Sequence, residues 1–404
     1  MVCAVALALV ATSCGLRSGE PVAQVQAPTP TAPGLLPASE TETPTPTRVE
    51  PAVPTSEPAE TAVVPTPAPD LGTLSCLSTR QRVAQLLLPL LTQPELPGAQ
   101  TYASVGELGA IGLLDFPDQG LQENLAALQA SSQHLPVMVA SDEEGGSVQR
   151  LAELLGPLPS AAETARTKSP EQALNQWVEY GSRVRALGID VVFGPVLDVG
   201  AAPGIQSRSF GDDPVVVTTY GGAMAAGLLE AGVVPVLKHF PGHGRASADS
   251  HLELPTTPPL AELRTTDLVP YVELLADPVL RDNAAVMIGH LAVPDLSDST
   301  PTSLSPATVT GLLRNELGFS GLIFTDAINM GAIVDSYGRL DALELAIRAG
   351  SDIVILGSLA DLTPALDHLV MLVEADGDFA MVVDNRVARV AAAKGQTNYC
   401  TGAQ

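Results

Sequence analysis

From Leu74 onward the chain alternates between two textures. Apolar runs of strand length recur at QLLLPLL (85–91), AIGLLDF (110–116), PVMVASD (136–142), VVFGPVLD (191–198), VPVLKHF (234–240), AVMIGHL (285–291), LIFTDA (322–327) and DIVILG (352–357). Such runs, bounded by polar and glycine-bearing segments, read as buried strands. The stretches between them, such as YGGAMAAGLLEAG (220–232) and LDALELAIRAG (340–350), carry helix formers and end in glycine, a helix C-terminal signal. Eight buried strands alternating with helices predict an α/β fold, a (β/α)8 barrel of the TIM type forming a single domain over 73–404. An open doubly wound sheet would give the same alternation.

The barrel makes a prediction of its own, because barrel enzymes place their chemistry at the carboxyl ends of the strands. Polar residues stand where the apolar runs stop: Asp142, Asp198, Lys238 with His239, His290 and Asp326. Charged residues are only 16% of the chain, so ionisable groups at so many strand ends point to a site. A capping role would account for one or two of them.

Before Leu74 the texture is different. Residues 1–14, MVCAVALALVATSC, form an apolar run too short to span a bilayer and end in small residues before a cysteine. This is the shape of a lipoprotein-type signal peptide that releases a mature chain beginning at a lipidated Cys14. No Lys or Arg precedes the run, which leaves a cytosolic protein with an apolar N-terminus as the alternative. Residues 15–72 are rich in Pro, Thr, Ala and Glu and hold no aromatic residue. Such a segment buries too little to offset its ordering entropy and is expected to be a disordered tether. Export makes a disulfide between the remaining cysteines, Cys76 and Cys400, the expected pairing. The formal charge of −25 disfavours nucleic acid and anionic lipid as partners, so the membrane is engaged only through the anchor.

The densest chemistry lies in LKHFPGHGRASADSH (237–251), which holds three of the six histidines. His239 and His243 have a zinc-like spacing, but Pro241 and Gly242 between them rule out the shared helical face that would hold a metal. Asp249 and His251 are spaced to pair, and a carboxylate-oriented imidazole suits general acid/base work near neutrality. On spacing alone a structural Asp–His contact is the plainer reading. Asp326, in GLIFTDAINMGA, reads as a nucleophile, a base or a helix cap. SDEEGGSVQRL (141–151) lacks both a dinucleotide fingerprint and a phosphate loop. Its carboxylates suit hydroxyl groups, with Arg208 in SRSFGDDP as a further polar contact; solvated loops are the plain alternative.

Taken together in this order, DEEGGSVQRL, GPVLDV, SRSFG, KHFPGHG, DSH, MIGHLAVP, PTSLS and FTDAINM resemble the β-N-acetylhexosaminidase branch of glycoside hydrolase family 3. The resemblance spans about residues 77–395. It implies a retaining hydrolase with Asp326 as nucleophile and His251, paired with Asp249, as acid/base. It implies sugar contacts from Asp142, Arg208, Lys238 and His239, with Asp198, His243 and His290 matched less closely. It calls for no cofactor and no metal. The expected substrates are N-acetylglucosamine-containing muropeptide or glycan fragments, cleaved by a monomer anchored at the cell membrane or secreted. Arg245 departs from the family pattern, as does TDAINM, where relatives carry a second Asp after the nucleophile. A phosphate-dependent phosphorylase and a non-catalytic wall-binding lipoprotein are the rival readings. The low aromatic content, 3%, argues for a pocket holding one terminal sugar over a long stacking groove.

Overall fold

The computed structural model describes residues 76–395. The expected signal peptide (1–14) with Cys14, the tether (15–72) and Cys400 lie outside the described residues. Eight parallel strands close into a barrel: β1 (Leu87–Leu91), β2 (Ala110–Leu113), β3 (Met138–Ser141), β4 (Val191–Val192), β5 (Val234–Phe240), β6 (Ala285–Ile288), β7 (Ile323–Ala327) and β8 (Ile353–Leu356). Each strand pairs with its sequence neighbours, and β1 closes the ring on β8 through Leu87–Val354 and Leu88–Ile355. The open-sheet alternative is therefore excluded.

Every strand is buried along nearly its whole length because helices cover the outside and side chains fill the inside. The interior includes Phe193 and Phe324, packed edge to face at 5.8 Å. Burying each Leu, Ile, Val or Phe side chain of this kind contributes about 1.5–3 kcal/mol. β4 is the shortest strand for a local reason: Gly194 and Pro195 follow Val192, and proline has no N–H for the ladder. Parallel pairing resumes at a single bridge between Val196 and Lys238.

The helix Pro170–Ala186 starts on a Ser169–Gln172 capping box. It packs against the helix Pro214–Glu230, which starts at the Asp213 cap six residues before the apolar stretch that predicted it. The valine run Val215–Val217 hides that start, since β-branched residues are weak helix formers and here packing overrides propensity. Contact between the two helices is close enough to require Gly227. A Cβ there would meet Leu174 O at 2.7 Å and Trp177 Cβ at 2.8 Å. Among the described residues no helix is long and apolar enough to cross a membrane.

Candidate active site

The C-terminal ends of β3, β4, β5, β6 and β7 bring the predicted residues to one mouth. Leaving β3, the chain runs extended through Asp142, Glu143 and Glu144, then turns back in a tight hairpin, Glu143–Gly145 against Val148–Gln149. Extended backbone sends alternate side chains to opposite sides. Asp142 and Glu144 meet the cations of the mouth, while Glu143 points into the protein. Gly145, at φ 87°, makes the turn, and a Cβ there would strike Pro159 O at 2.3 Å.

Lys238, near the end of β5, extends into the mouth with only 3% of its side chain exposed. Its ammonium lies 2.8 Å from Asp142 Oδ1 and 2.6 Å from Glu144 Oε1. Arg208, on a short turn in the loop after β4, grips Glu144 with two bonds of 2.8 Å and donates to Gly204 O at 2.8 Å. Two carboxylates and two cations thus balance each other, with Lys238 and Glu144 buried and Asp142 and Arg208 partly open to solvent. Burial raises the Glu144 carboxyl, but Lys238 and Arg208 outweigh it and hold the group at about 2. The same contest, decided chiefly by Lys238, keeps Asp142 below its ordinary value. Lys238 has three N–H donors and spends two on these carboxylates, so one remains for a ligand.

Asp198 is fully buried behind this cluster. It takes His239 Nδ1 at 2.7 Å, the His239 backbone N–H at 3.2 Å and the His243 backbone N–H at 2.6 Å. A ring nitrogen facing a carboxylate donates, so His239 turns its Nε2 toward Arg208 Nη2, 3.4 Å away. Asp198 is therefore an orienting group for the HFPGH turn. His243 is buried, with Nε2 3.0 Å from Ser250 Oγ.

Asp326 sits one residue before the end of β7. Its Oδ1 accepts the Ala327 N–H at 2.8 Å, and among the described residues no hydrogen bond reaches Oδ2. Burial pushes this carboxyl up; His239, His290, the Ala327 N–H and Lys238 offset the push and leave it below its ordinary value, ionised at neutral pH. The stretch carrying His251 is laid against the loop that follows. Gly331 N donates to His251 O at 3.1 Å and Ala332 N to Ser250 O at 3.2 Å. Asp249 accepts both His251 Nδ1, at 2.7 Å, and the His251 backbone N–H, at 3.0 Å, through the same oxygen. Nδ1 donates to the carboxylate, which leaves Nε2 to exchange protons on a side chain 62% exposed.

His290 departs from the expected pattern. It is fully buried, and both ring nitrogens are engaged within the protein, Nδ1 with Ser303 Oγ at 2.7 Å and Nε2 with Ala327 O at 3.1 Å. No ring nitrogen is left for a sugar. Arg245, the other departure, reaches the buried Asp267 at 2.6 Å and pins its loop. Among the described residues no group of three or more His, Cys, Asp and Glu side chains is placed to hold a metal ion. Cys76 is disulfide-bonded.

Two residues at the mouth were not singled out by sequence. Glu144 holds both cations, and the two-residue spacing from Asp142 in extended backbone is the signal that finds it. Arg150 lies 3.3 Å from Asp142 Oδ2 because the hairpin folds the chain back, with Arg150 N on Asp142 O at 3.1 Å. Only the two-stranded turn reveals that contact.

Residues 80–393 match the model of the glycosyl hydrolase family 3 N-terminal domain. The β-hexosaminidase LpqI of Mycobacterium tuberculosis is 41% identical over 360 residues, which cover 85% of this chain and 91% of that protein. The crystal structure of a family 3 glycosyl hydrolase from Mycobacterium smegmatis superposes with a TM-score of 0.74 at 42% identity, covering 79% of this chain and 98% of that one. A family 3 β-N-acetylglucosaminidase from Paenibacillus gives 0.72 at 31% identity, over 81% of this chain and 64% of that one.

Proposed function

Because the chain belongs to glycosyl hydrolase family 3, we propose that it is a retaining β-N-acetylglucosaminidase that removes terminal N-acetylglucosamine from muropeptide or glycan fragments. The observation that carries this reading is the pairing of an ionised, half-buried Asp326 with an Asp249–His251 dyad, its imidazole exposed, laid on the loop next to it. In the first step Asp326 Oδ2 attacks the anomeric carbon as the glycosidic C–O bond breaks, and His251 gives its proton to the departing oxygen. In the second step water attacks the same carbon from the face the leaving group vacated. His251 takes the water's proton, Asp326 is released, and the anomeric configuration is kept.

The sugar's hydroxyls are proposed to lie on Asp142, Arg208, Lys238 and His239, with Asp198 and His243 holding those residues from behind. Pre-paired charges in a dry pocket recognise hydroxyls without reorganising, and removing one is expected to cost both binding and rate. The same donors could hold phosphate, but Asp142, Glu144, Asp326 and Asp249 surround them, which favours water as the acceptor. The test is release of p-nitrophenol from its β-N-acetylglucosaminide and from its β-glucoside, each with and without phosphate. Preference for the N-acetyl sugar without phosphate is expected; turnover that requires phosphate would overturn the hydrolase reading.

The N-terminal sequence supports export of the chain with a lipid at Cys14, the tether spacing the barrel from the membrane. Export also suits the disulfide at Cys76, for which Cys400 is the proposed partner. A tryptic peptide pair joining the two, lost on reduction, is expected by mass spectrometry; linkage of Cys76 to any other cysteine would refute the pairing.

A further inference from the structure

His290 stands two residues beyond β6, and its surroundings fix the state of its ring. Nε2 faces the Ala327 carbonyl at 3.1 Å, and a carbonyl has no hydrogen to give, so Nε2 must carry one. Nδ1 faces the Ser303 hydroxyl at 2.7 Å and accepts from it. Burial lowers the ring's proton affinity, in keeping with this neutral form. Ser303 is itself held. It lies on the turn Thr302–Leu304, where the Thr302 hydroxyl donates to Gly289 O at 2.6 Å and accepts Leu291 N at 3.1 Å. The turn is thereby tied to both neighbours of His290.

On the receiving side, Ala327 adjoins the nucleophile. Its N–H is spent on Asp326 Oδ1. The peptide between Ala327 and Ile328 is held from two strands: its N–H donates to Ile355 O at 3.0 Å on β8, and its carbonyl accepts His290 and also Met330 N at 3.1 Å. We infer that His290, oriented by Ser303, is a positioning residue that fixes the peptide following Asp326 and so sets the aim of the free oxygen Oδ2. This role rests on Asp326 being the nucleophile. It replaces the sugar contact expected from sequence and gives the PTSLS segment a role, since Ser303 within it meets His290 Nδ1.

The roles separate in kinetics. Loss of a sugar ligand raises KM whether or not kcat falls, loss of a core histidine acts on stability alone, and loss of a positioning residue lowers kcat with KM little changed. With p-nitrophenyl β-N-acetylglucosaminide as substrate, His290→Leu is expected to lower kcat about 100-fold with KM little changed, the size of a misplacement on the order of 1 Å. His290→Gln keeps an N–H within reach of the carbonyl and should recover about tenfold of that loss, while Ser303→Ala should cost about fivefold. A raised KM at unchanged kcat, or Gln behaving no better than Leu, would overturn the inference. Long-range 1H–15N spectra of the unsubstituted protein give a second reading that needs no variant to fold. Hydrogen on Nε2 alone at neutral pH is expected, and hydrogen on Nδ1 overturns the relay. A parent chain that hydrolyses nothing overturns the nucleophile reading and takes the positioning role with it; an active parent with unaffected variants overturns the positioning role alone.

Discussion

Lys238 and His251 belong to one short segment, yet the first keeps 3% of its side chain exposed and the second 62%. Lys238 is carried by a barrel strand and held by two carboxylates that have no other cation as close except Arg208 and Arg150. His251 is carried by a loop and held by one carboxylate two residues away. Under the proposed function, the difference follows from what each group would have to do. Charges that recognise a neutral sugar work best when fixed and dry, and the desolvation cost is offset only if each is paired. A group that trades protons with a leaving oxygen and then with water has to meet solvent, so it sits where a loop can carry it. Asp326 stands between the two conditions, half-buried on a barrel strand like the first region and with an open oxygen like the second.

Asp326→Ala should give the largest effect. Among the described residues its side chain hydrogen-bonds only the Ala327 N–H, so folding should survive while kcat falls by about 10⁴-fold or more. Circular dichroism beside the nitrophenol assay checks both halves, and a variant with near-parent turnover would remove the nucleophile from this account.

The comparison sharpens when one residue from each region is removed. Glu144→Ala takes Arg208's carboxylate away and leaves Lys238 with Asp142 alone, and breaking a buried pair of this kind costs about 3–5 kcal/mol. Urea unfolding should register that loss. His251→Ala removes an exposed side chain and should change stability by no more than about 0.5 kcal/mol. Its effect should appear in rate, about 10²–10⁴-fold on substrates with poor leaving groups and much less on nitrophenyl substrates, whose departing oxygen needs no proton. Equal rate losses on both substrates would count against the acid role, and a stable Glu144→Ala variant would mean that the cations find other partners.

The eight strands were legible because burial on both faces writes them as unbroken apolar runs, and the ionisable residues at their ends marked the mouth. Asp326, Lys238, His239 and the Asp249–His251 pair could be read for the same reason: each is a polar residue standing where an apolar run or a glycine-bearing turn breaks off. What the sequence concealed depends on how side chains point. Glu144 looked like one member of an acidic run, though alternation places it with Asp142 and sets Glu143 apart. The strand end marked His290 as a site residue and the family resemblance made it a sugar contact, whereas Ser303 and Ala327 O, brought in from later segments, consume both its nitrogens. Contacts made across the barrel leave no spacing in the chain.

Glu143 turns that alternation into a measurable contrast with its neighbour. It is fully buried and accepts Ser141 Oγ at 2.6 Å, Tyr180 Oη at 2.6 Å and Leu151 N at 3.2 Å, with no cation paired to it among the described residues. Burial pushes its carboxyl from 4.5 up to about 7, while Lys238 and Arg208 hold Glu144 at about 2. The two groups therefore load stability onto opposite ends of the pH scale. Glu143 binds its proton more tightly when folded, so its contribution is complete below 4.5 and is lost as pH rises through 7. Glu144 contributes above 4.5 and loses that contribution as pH falls through 2. Glu143→Gln removes the first titration and leaves the second. The amide places a donor where one acceptor stood, which costs the same at every pH and drops out of the slope. Relative to the parent, this variant should gain on the order of 3 kcal/mol in unfolding free energy between about pH 4 and about pH 8. Urea melts at a series of pH values measure the difference directly, and parallel curves would mean that Glu143 ionises inside the fold as freely as it does in water.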